Sequence, residues 1–349
     1  MITARQLQQI FTPLTGDPSP RVCRTLSGNI NTILKVEANG RMYGLRIRSQ
    51  EQVYRYEPDL MKEVFISWLL DLTHAGAGDT EKARALSQLR EAQRGAGRKS
   101  SGIEPTGLAF DWSRQILPQP YFVYEWIEGE PLWDDPDAQL YRAAGHALAS
   151  LHRVRFDAFY ADFFAIGHTP QVGVDRFRAA LDKEIGEARS RLGPTLSHAV
   201  EHIPMPTTLP FSPCLIHNDF SPGNILVREG RLAAVIDWDN AVVDVAPLDF
   251  VKMKYWTAKD DRGQLGHNPV LFRAFVTGYG PRGPEIVESE TFAWYELLWL
   301  LRVWNFEISK QERGLERAPG YPAAAEYAAF LEGAIDRLNA RRGSSSPTS

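Results

Sequence analysis

The chain has 349 residues with a formal net charge of −4, 44% apolar and 23% charged, the balance of an ordinary soluble globular protein. At that length a single core nears its limit, so two lobes are expected, and the mild acidity gives no general field for nucleic acid or anionic membrane. Its two cysteines, Cys23 and Cys214, are far apart and have no zinc-type spacing, which argues against a disulfide framework or a structural zinc site.

The opening residues MITARQLQQIFTPL lack a continuous apolar run and do not read as a signal peptide. The most apolar stretch, WYELLWLLRVW, carries Glu296 and Arg302 and is too short to span a bilayer. A cytoplasmic protein with reducible thiols is expected.

Residues 21–50 alternate in the strand manner. RVCRTL, NTILKVEA and RMYGLRIR predict three antiparallel strands, the last two joined at Asn39-Gly40, a strong hairpin signal. EPDLMKEVFISWLLDL then predicts a helix with Leu60, Val64 and Leu69 on one face and Pro58 near its start. From residue 73 to 101 an insert holds six Lys/Arg against three Asp/Glu, with an exposed helix expected in its middle and flexible ends. Strand character returns in TGLAFDW and QPYFVYEWIEG.

Beyond GEPL the chain turns helical. A first lobe over 1–127 and a second over 128–342 are expected, with 343–349 a disordered tail. AQLYRAAGHALASLHRV, VDRFRAALDKEIGEARSRL, ESETFAWYELLWLLRVWNFEIS and AAAEYAAFLEGAIDRLNA predict the principal helices of the second lobe. No internal repeat is present.

The chemistry concentrates in CLIHNDFSPGNILVREGRLAAVIDWDN. His217, Asp219 and Asn224 form HxDxxxxN, and Asp237 ends the apolar strand LAAVID. Two oxygen donors separated by one strand-turn-strand unit can converge on a hard divalent cation, with water and phosphate completing its shell. An Asp held in the loop beside them can accept a proton from a hydroxyl nucleophile. Either residue alone reads as an ordinary polar or turn-forming group; the combination and spacing point to phosphoryl transfer.

The motif resembles the catalytic and metal loops of the protein-kinase fold, and the wording IHNDFSPGNILV followed by VIDWDNAVVDVAPLDF is similar to the aminoglycoside phosphotransferase and choline kinase-like family. That resemblance implies an α+β, two-lobed protein-kinase-like fold, with an antiparallel sheet and one main helix in the N-terminal lobe and a mostly helical C-terminal lobe. It makes Asp219 the catalytic base, Asn224 and Asp237 the Mg2+ ligands, His217 a structural residue and Asp249 a brace for the catalytic loop. Of two roles open to Asp239, assisting the metal site or facing solvent, the second is expected.

The same resemblance assigns ATP binding to the first lobe, GTP being an open alternative. Ser27, Gly28, Asn29 and Asn31 would cradle phosphates, Arg46 would take the place of the kinase lysine with Glu63 orienting it, and the main chain from Glu125 to Ile127 would meet the base. Arg48 lies on the same strand face and competes with Arg46. Ser221 stands where protein kinases place a catalytic-loop lysine, so charge on the moving phosphoryl group falls to magnesium and Arg46.

The acceptor region of such a kinase lies between the catalytic loop and the C-terminal helices. From Val251 to Arg342 there are thirteen Lys/Arg and twelve Asp/Glu, so the acidic bias suited to a polycationic aminoglycoside is missing. Tyr255, Trp256, Phe292, Trp294, Tyr295, Trp299, Trp304 and Phe306 are expected mostly as core, the remainder as a wall for an apolar, sugar-bearing or heterocyclic acceptor. Glu296 and Glu307 read equally as surface residues or as partners for one cationic group. The expectation is a kinase of a small-molecule hydroxyl, the acceptor an antibiotic-like or sugar- or nucleoside-bearing compound, with no nucleic-acid or membrane partner. A choline, amino-alcohol or sugar kinase and a catalytically silent nucleotide-binding regulator are the alternatives.

Overall fold

The computed structural model describes residues 2–27, 31–48, 62, 65–66, 69–70, 76, 78–84, 94–96, 107–111, 113–160, 166–167, 169–203 and 205–343. The chain divides into two compact units, the first comprising 1–130, 162–168 and 224–241 and the second 131–161, 169–223 and 242–349. The first unit thus takes in the hairpin segment 224–241 that follows the HxDxxxxN loop.

The first unit is built on a six-stranded antiparallel sheet, in the order Arg21–Ser27, Asn31–Ala38, Arg41–Arg48, Tyr121–Glu125, Gly107–Asp111, Arg94–Ala96. The Asn39-Gly40 turn closes its central hairpin with Ala38 opposite Arg41. Both turn residues have positive φ, 50° and 73°, which an L-residue such as Asn tolerates and Gly adopts freely.

The helix Ala4–Thr15 was not evident in the sequence. Thr3 and Gln6 form a capping box at its start, and Gly16 ends it in the left-handed conformation. Leu7, Ile10 and Phe11 on its buried face join Leu34, Val36, Leu45, Tyr121 and Val123 in one core, so Phe11→Ala would cost about 3–5 kcal/mol. Of the predicted 57–72 helix, residues 62, 65–66 and 69–70 are helical, with Phe65, Ile66, Leu69 and Leu70 buried. Within the insert, 79–84 are helical but not exposed throughout: Asp79 and Lys82 are buried and ion-paired at 3.5 Å.

The second unit is mainly helical. Its longest helix, Glu290–Glu312, is buried over most of its length, which explains why its hydrophobicity runs round the helix rather than along one stripe. Among the described residues no helix is long and apolar enough to cross a membrane. The helices Ala138–Leu151 and Pro269–Gly278 cross closely at Gly145, where a Cβ would stand 2.0 Å from the Phe275 carbonyl oxygen. A glycine that costs about 1 kcal/mol against Ala in an isolated helix is therefore needed for packing.

Candidate active site

In the second unit the strand Cys214–Ile216 pairs antiparallel with Val242–Asp244 and delivers the chain into the His217–Asp219 loop. The turn is tight: Asn218 has φ 59°, a conformation available to Asn at modest cost. Asp249, in the first turn of the helix Pro247–Tyr255, fixes this loop. The His217 amide donates to its Oδ2 at 2.8 Å and the Asn218 amide to its Oδ1 at 2.7 Å. His152 Nε2 lies 3.1 Å from the same Oδ2, while His152 Nδ1 meets the Tyr279 hydroxyl at 2.8 Å.

His217 is buried and packs edge-on against Phe220. Its Nδ1 accepts from the Asp219 amide at 3.2 Å. The loop is thus held by its own backbone donors, and the Asp219 carboxylate is left partly exposed. That carboxylate pairs with the Lys252 ammonium, a partner missed by the sequence reading. The available signal was helical spacing: Lys252 follows Asp249 by three residues and shares its face.

A shallow surface depression adjoins this pair, lined by Asn218, Phe220, Leu248, Asp249, Lys252 and Trp299. Behind Trp299 the aromatic residues form core. Tyr255 stacks on it at 5.4 Å, Trp256 meets it edge-on at 5.1 Å, and seven of the eight expected aromatics are buried, Phe306 being half-buried. Glu296 is no surface residue. It is 1% exposed and bridged by Lys254 and Arg337, the latter at 3.0 Å. Burial pushes its carboxyl up, but the two cations outweigh burial and hold it below the ordinary 4.5. Glu307 is also buried, 3.4 Å from Lys310.

The first unit carries the other half of the motif. Strands Ile225–Arg228 and Arg231–Val235 form a hairpin, and the Ile236 amide donates to the Asn224 carbonyl at 2.9 Å, tying the two expected metal-binding positions together through backbone. Asp237 follows in the left-handed region at φ 68°. Trp238 anchors the turn: it is fully buried and its indole donates to the Val235 carbonyl at 3.0 Å.

Arg46, central in its strand, is buried and its Nη2 contacts Asp237 Oδ1 at 2.6 Å and Asp239 Oδ2 at 2.9 Å. Asp239 therefore does not face solvent. It is 2% exposed and also accepts from Asn31 Nδ2 at 3.0 Å, because burial of an arginine requires a fixed counter-charge. Arg48 is half-buried on the same strand.

Of the remaining expected positions, Gly28, Asn29 and Glu63 lie outside the described residues, and Ser27 is described only as the end of its strand. Glu125 is exposed at the end of Tyr121–Glu125, and Ile127 is half-buried just past it. Between them, the Trp126 amide donates to the Met42 carbonyl at 3.1 Å, so the sheet's bonding continues into this segment.

Asn224 and the half-exposed Asp237 offer hard oxygen donors of the kind magnesium takes. Among the described residues no group of three or more His, Cys, Asp or Glu is placed to hold a metal. Two protein ligands suffice for an ion that keeps several waters and binds substrate phosphates.

The phosphotransferase enzyme family model (APH) matches residues 27–288, a span that includes Arg46, the HxDxxxxN motif, Asp237 and Asp249. The chain belongs to this family. As a phosphotransferase it has the protein-kinase-like α+β fold of solved aminoglycoside phosphotransferases. A thermostable mutant of APH(4)-Ia, in a ternary complex with AMP-PNP and hygromycin B, is similar over 99% of each chain at 16% identity, with a TM-score of 0.60. The gentamicin complex of APH(2")-IIa is similar over 97% of each chain at 16% identity, with a TM-score of 0.52. No curated protein matches this phosphotransferase by sequence.

Proposed function

We propose that this phosphotransferase moves the γ-phosphoryl group of ATP, with magnesium, to a hydroxyl of a small molecule in the cytoplasm, with Asp219 as the base. The observation that carries this reading is the braced loop. Asp249 takes both backbone amides that precede Asp219 and leaves the Asp219 carboxylate beside an open depression. A general base needs such fixed placement within reach of the acceptor proton.

In the transfer, the acceptor oxygen bonds to phosphorus as the bond to the bridging oxygen breaks. ADP leaves with that electron pair, and the acceptor proton passes to Asp219. Arg46 binds the phosphates, its guanidinium held in place by Asp239. Asn224 and Asp237 would hold magnesium, which when bound neutralises charge on the phosphates. Ser27, Gly28, Asn29 and Asn31 serve the phosphate-covering hairpin, Glu63 supports Arg46, and Glu125 to Ile127 meet the nucleotide base.

The acceptor reading follows from the depression. Its lining has one ammonium, an amide and the apolar faces of Phe220, Leu248 and Trp299. Its two carboxylates, at the lining residue Asp249 and the adjoining Asp219, are both already engaged. A polycation finds little unengaged negative charge there, whereas a sugar- or nucleoside-bearing, antibiotic-like hydroxyl compound needs none. The complex of a similarly folded enzyme with hygromycin B and AMP-PNP supports a nucleotide and a small-molecule acceptor for this chain.

ADP release with magnesium-ATP, measured across aminoglycosides, macrolides, nucleosides, sugars and amino alcohols, tests both parts. Turnover with a neutral glycoside or nucleoside is expected. A preference for polycationic aminoglycosides would refute the acceptor class, and turnover that survives in Asp219→Asn would refute the base.

A further inference from the structure

The catalytic loop has Ser221 where protein kinases carry a lysine, and Ser221 is buried, so the loop itself presents no cation at that position. One arrives from elsewhere. The helix Pro247–Tyr255 begins at the base of the loop, with Asp249 in its first turn and Lys252 in its last. The three-residue spacing places both on one face. From this helix Asp249 grips the His217 and Asn218 amides at 2.8 and 2.7 Å, while Lys252 grips the carboxylate of Asp219.

We propose that Lys252 is a positioning residue of the transfer reaction: it supplies, from the helix behind the loop, the cation that the loop lacks at Ser221, and it orients the Asp219 carboxylate toward the acceptor hydroxyl. This rests on the reading of Asp219 as the base.

Three observations support the assignment. First, Lys252 has little freedom: its side chain is 17% exposed and its ammonium lies 5.4 Å from the centre of the Trp256 ring, so ring and carboxylate fix its position from two sides. Second, the Asp219 side chain is 20% exposed and the adjoining depression has three apolar walls, Phe220, Leu248 and Trp299. A carboxylate at such a surface is costly unless paired. Third, Lys252 itself lines the depression, so the same ammonium faces the space assigned to the acceptor. When Asp219 takes the acceptor proton, its charge is lost and the ammonium is left to face the anionic phosphoryl group. That favours the charge distribution of the transition state over that of the ground state.

The test compares wild type, Lys252→Met, Lys252→Arg and Asp219→Asn by ADP release with magnesium-ATP, using the acceptor panel above and water alone, with melting curves taken with and without magnesium-ATP. Lys252→Met is expected to lower kcat about 100-fold, the lower range for a positioned acid-base group, with KM for ATP unchanged and the magnesium-ATP melting shift retained. Lys252→Arg, which keeps the cation, is expected to recover most of kcat. Wild-type kcat in Lys252→Met would overturn the proposal, and so would a loss of kcat that Lys252→Arg does not repair, since that would mark a packing role. The underlying reading fails separately: if Asp219→Asn still turns over, Asp219 is not the base, whereas an inactive Asp219→Asn beside a fully active Lys252→Met overturns only the role of Lys252.

Discussion

Arg46 in the first unit and Asp219 in the second both hold ion pairs, but in different surroundings. Arg46 and Asp239 are nearly inaccessible, with side chains 7% and 2% exposed, whereas Asp219 and Lys252 are 20% and 17% exposed. Burial makes the first pair a fixed element: removing Arg46 leaves Asp239 uncompensated where water cannot reach it, and removing Asp239 leaves the buried Arg46 with its more exposed counter-charge at Asp237. Partial exposure makes the second pair a working element, able to meet a hydroxyl without unfolding anything. In the proposed mechanism one unit therefore uses charge to hold a phosphate-binding cation still, and the other uses it to keep a base oriented and reachable.

The largest expected effect lies in the second unit. Asp219→Asn should lower kcat by about 10²–10⁴-fold, the range for an acid-base group, with the melting temperature close to wild type. A large loss of stability would break the contrast, because it would make Asp219 a structural residue like Asp239. Asp239→Ala should do the reverse: it should destabilise the protein by about 3–5 kcal/mol, read by denaturant unfolding, and raise KM for ATP through the loosened Arg46.

Glu296 extends the contrast within the second unit, being as buried as Asp239 but paired with two partly exposed cations, Lys254 and Arg337. Glu296→Gln should cost about 2 kcal/mol, the worth of hydrogen bonds to a charged group. Because its folded carboxyl titrates below the ordinary 4.5, its contribution is full above that pH and is lost as pH falls through the folded value. The gap in melting temperature between wild type and Glu296→Gln should therefore close in acid. A gap that widened in acid would reverse the sign of the argument.

The smallest effect is expected at Arg21. Its pair with Glu37 is short, 2.6 Å, yet Arg21 is 74% exposed. Water and salt screen such a pair, so Arg21→Ala should leave the melting curve unchanged. A measurable drop would show that contact length, rather than burial, sets the value of these pairs.

Local patterns were legible where the physics is local. Alternation along residues 21–48 and the Asn39-Gly40 turn specify their strands because side-chain period and turn conformation depend on near neighbours. The expected helices of the second unit appear for the same reason. Ala4–Thr15 escaped notice although its capping box lies within six residues of the start, because a short amphipathic helix gains its stability from the sheet it covers.

The site divides along the same line. HxDxxxxN, Asp237 and Asp249 stand out in the sequence because phosphoryl transfer needs oxygen ligands and a base at close, recognisable spacing. Asp239 was misread as solvent-facing: its partner Arg46 is 193 residues away, and no local rule reports a counter-charge at that separation. The pairing of Lys252 with Asp219, 33 residues away, is set by tertiary contact, and the sequence offers only its three-residue spacing from Asp249.

The sequence by itself determined the strand and helix pattern, the family and the spacing of the chemical groups, all of which follow from short-range periodicity and motif. Only the tertiary structure decided which charges are paired. Burial and counter-ion contact depend on residues far apart in the chain, and those contacts separate the fixed pair at Arg46 from the accessible pair at Asp219.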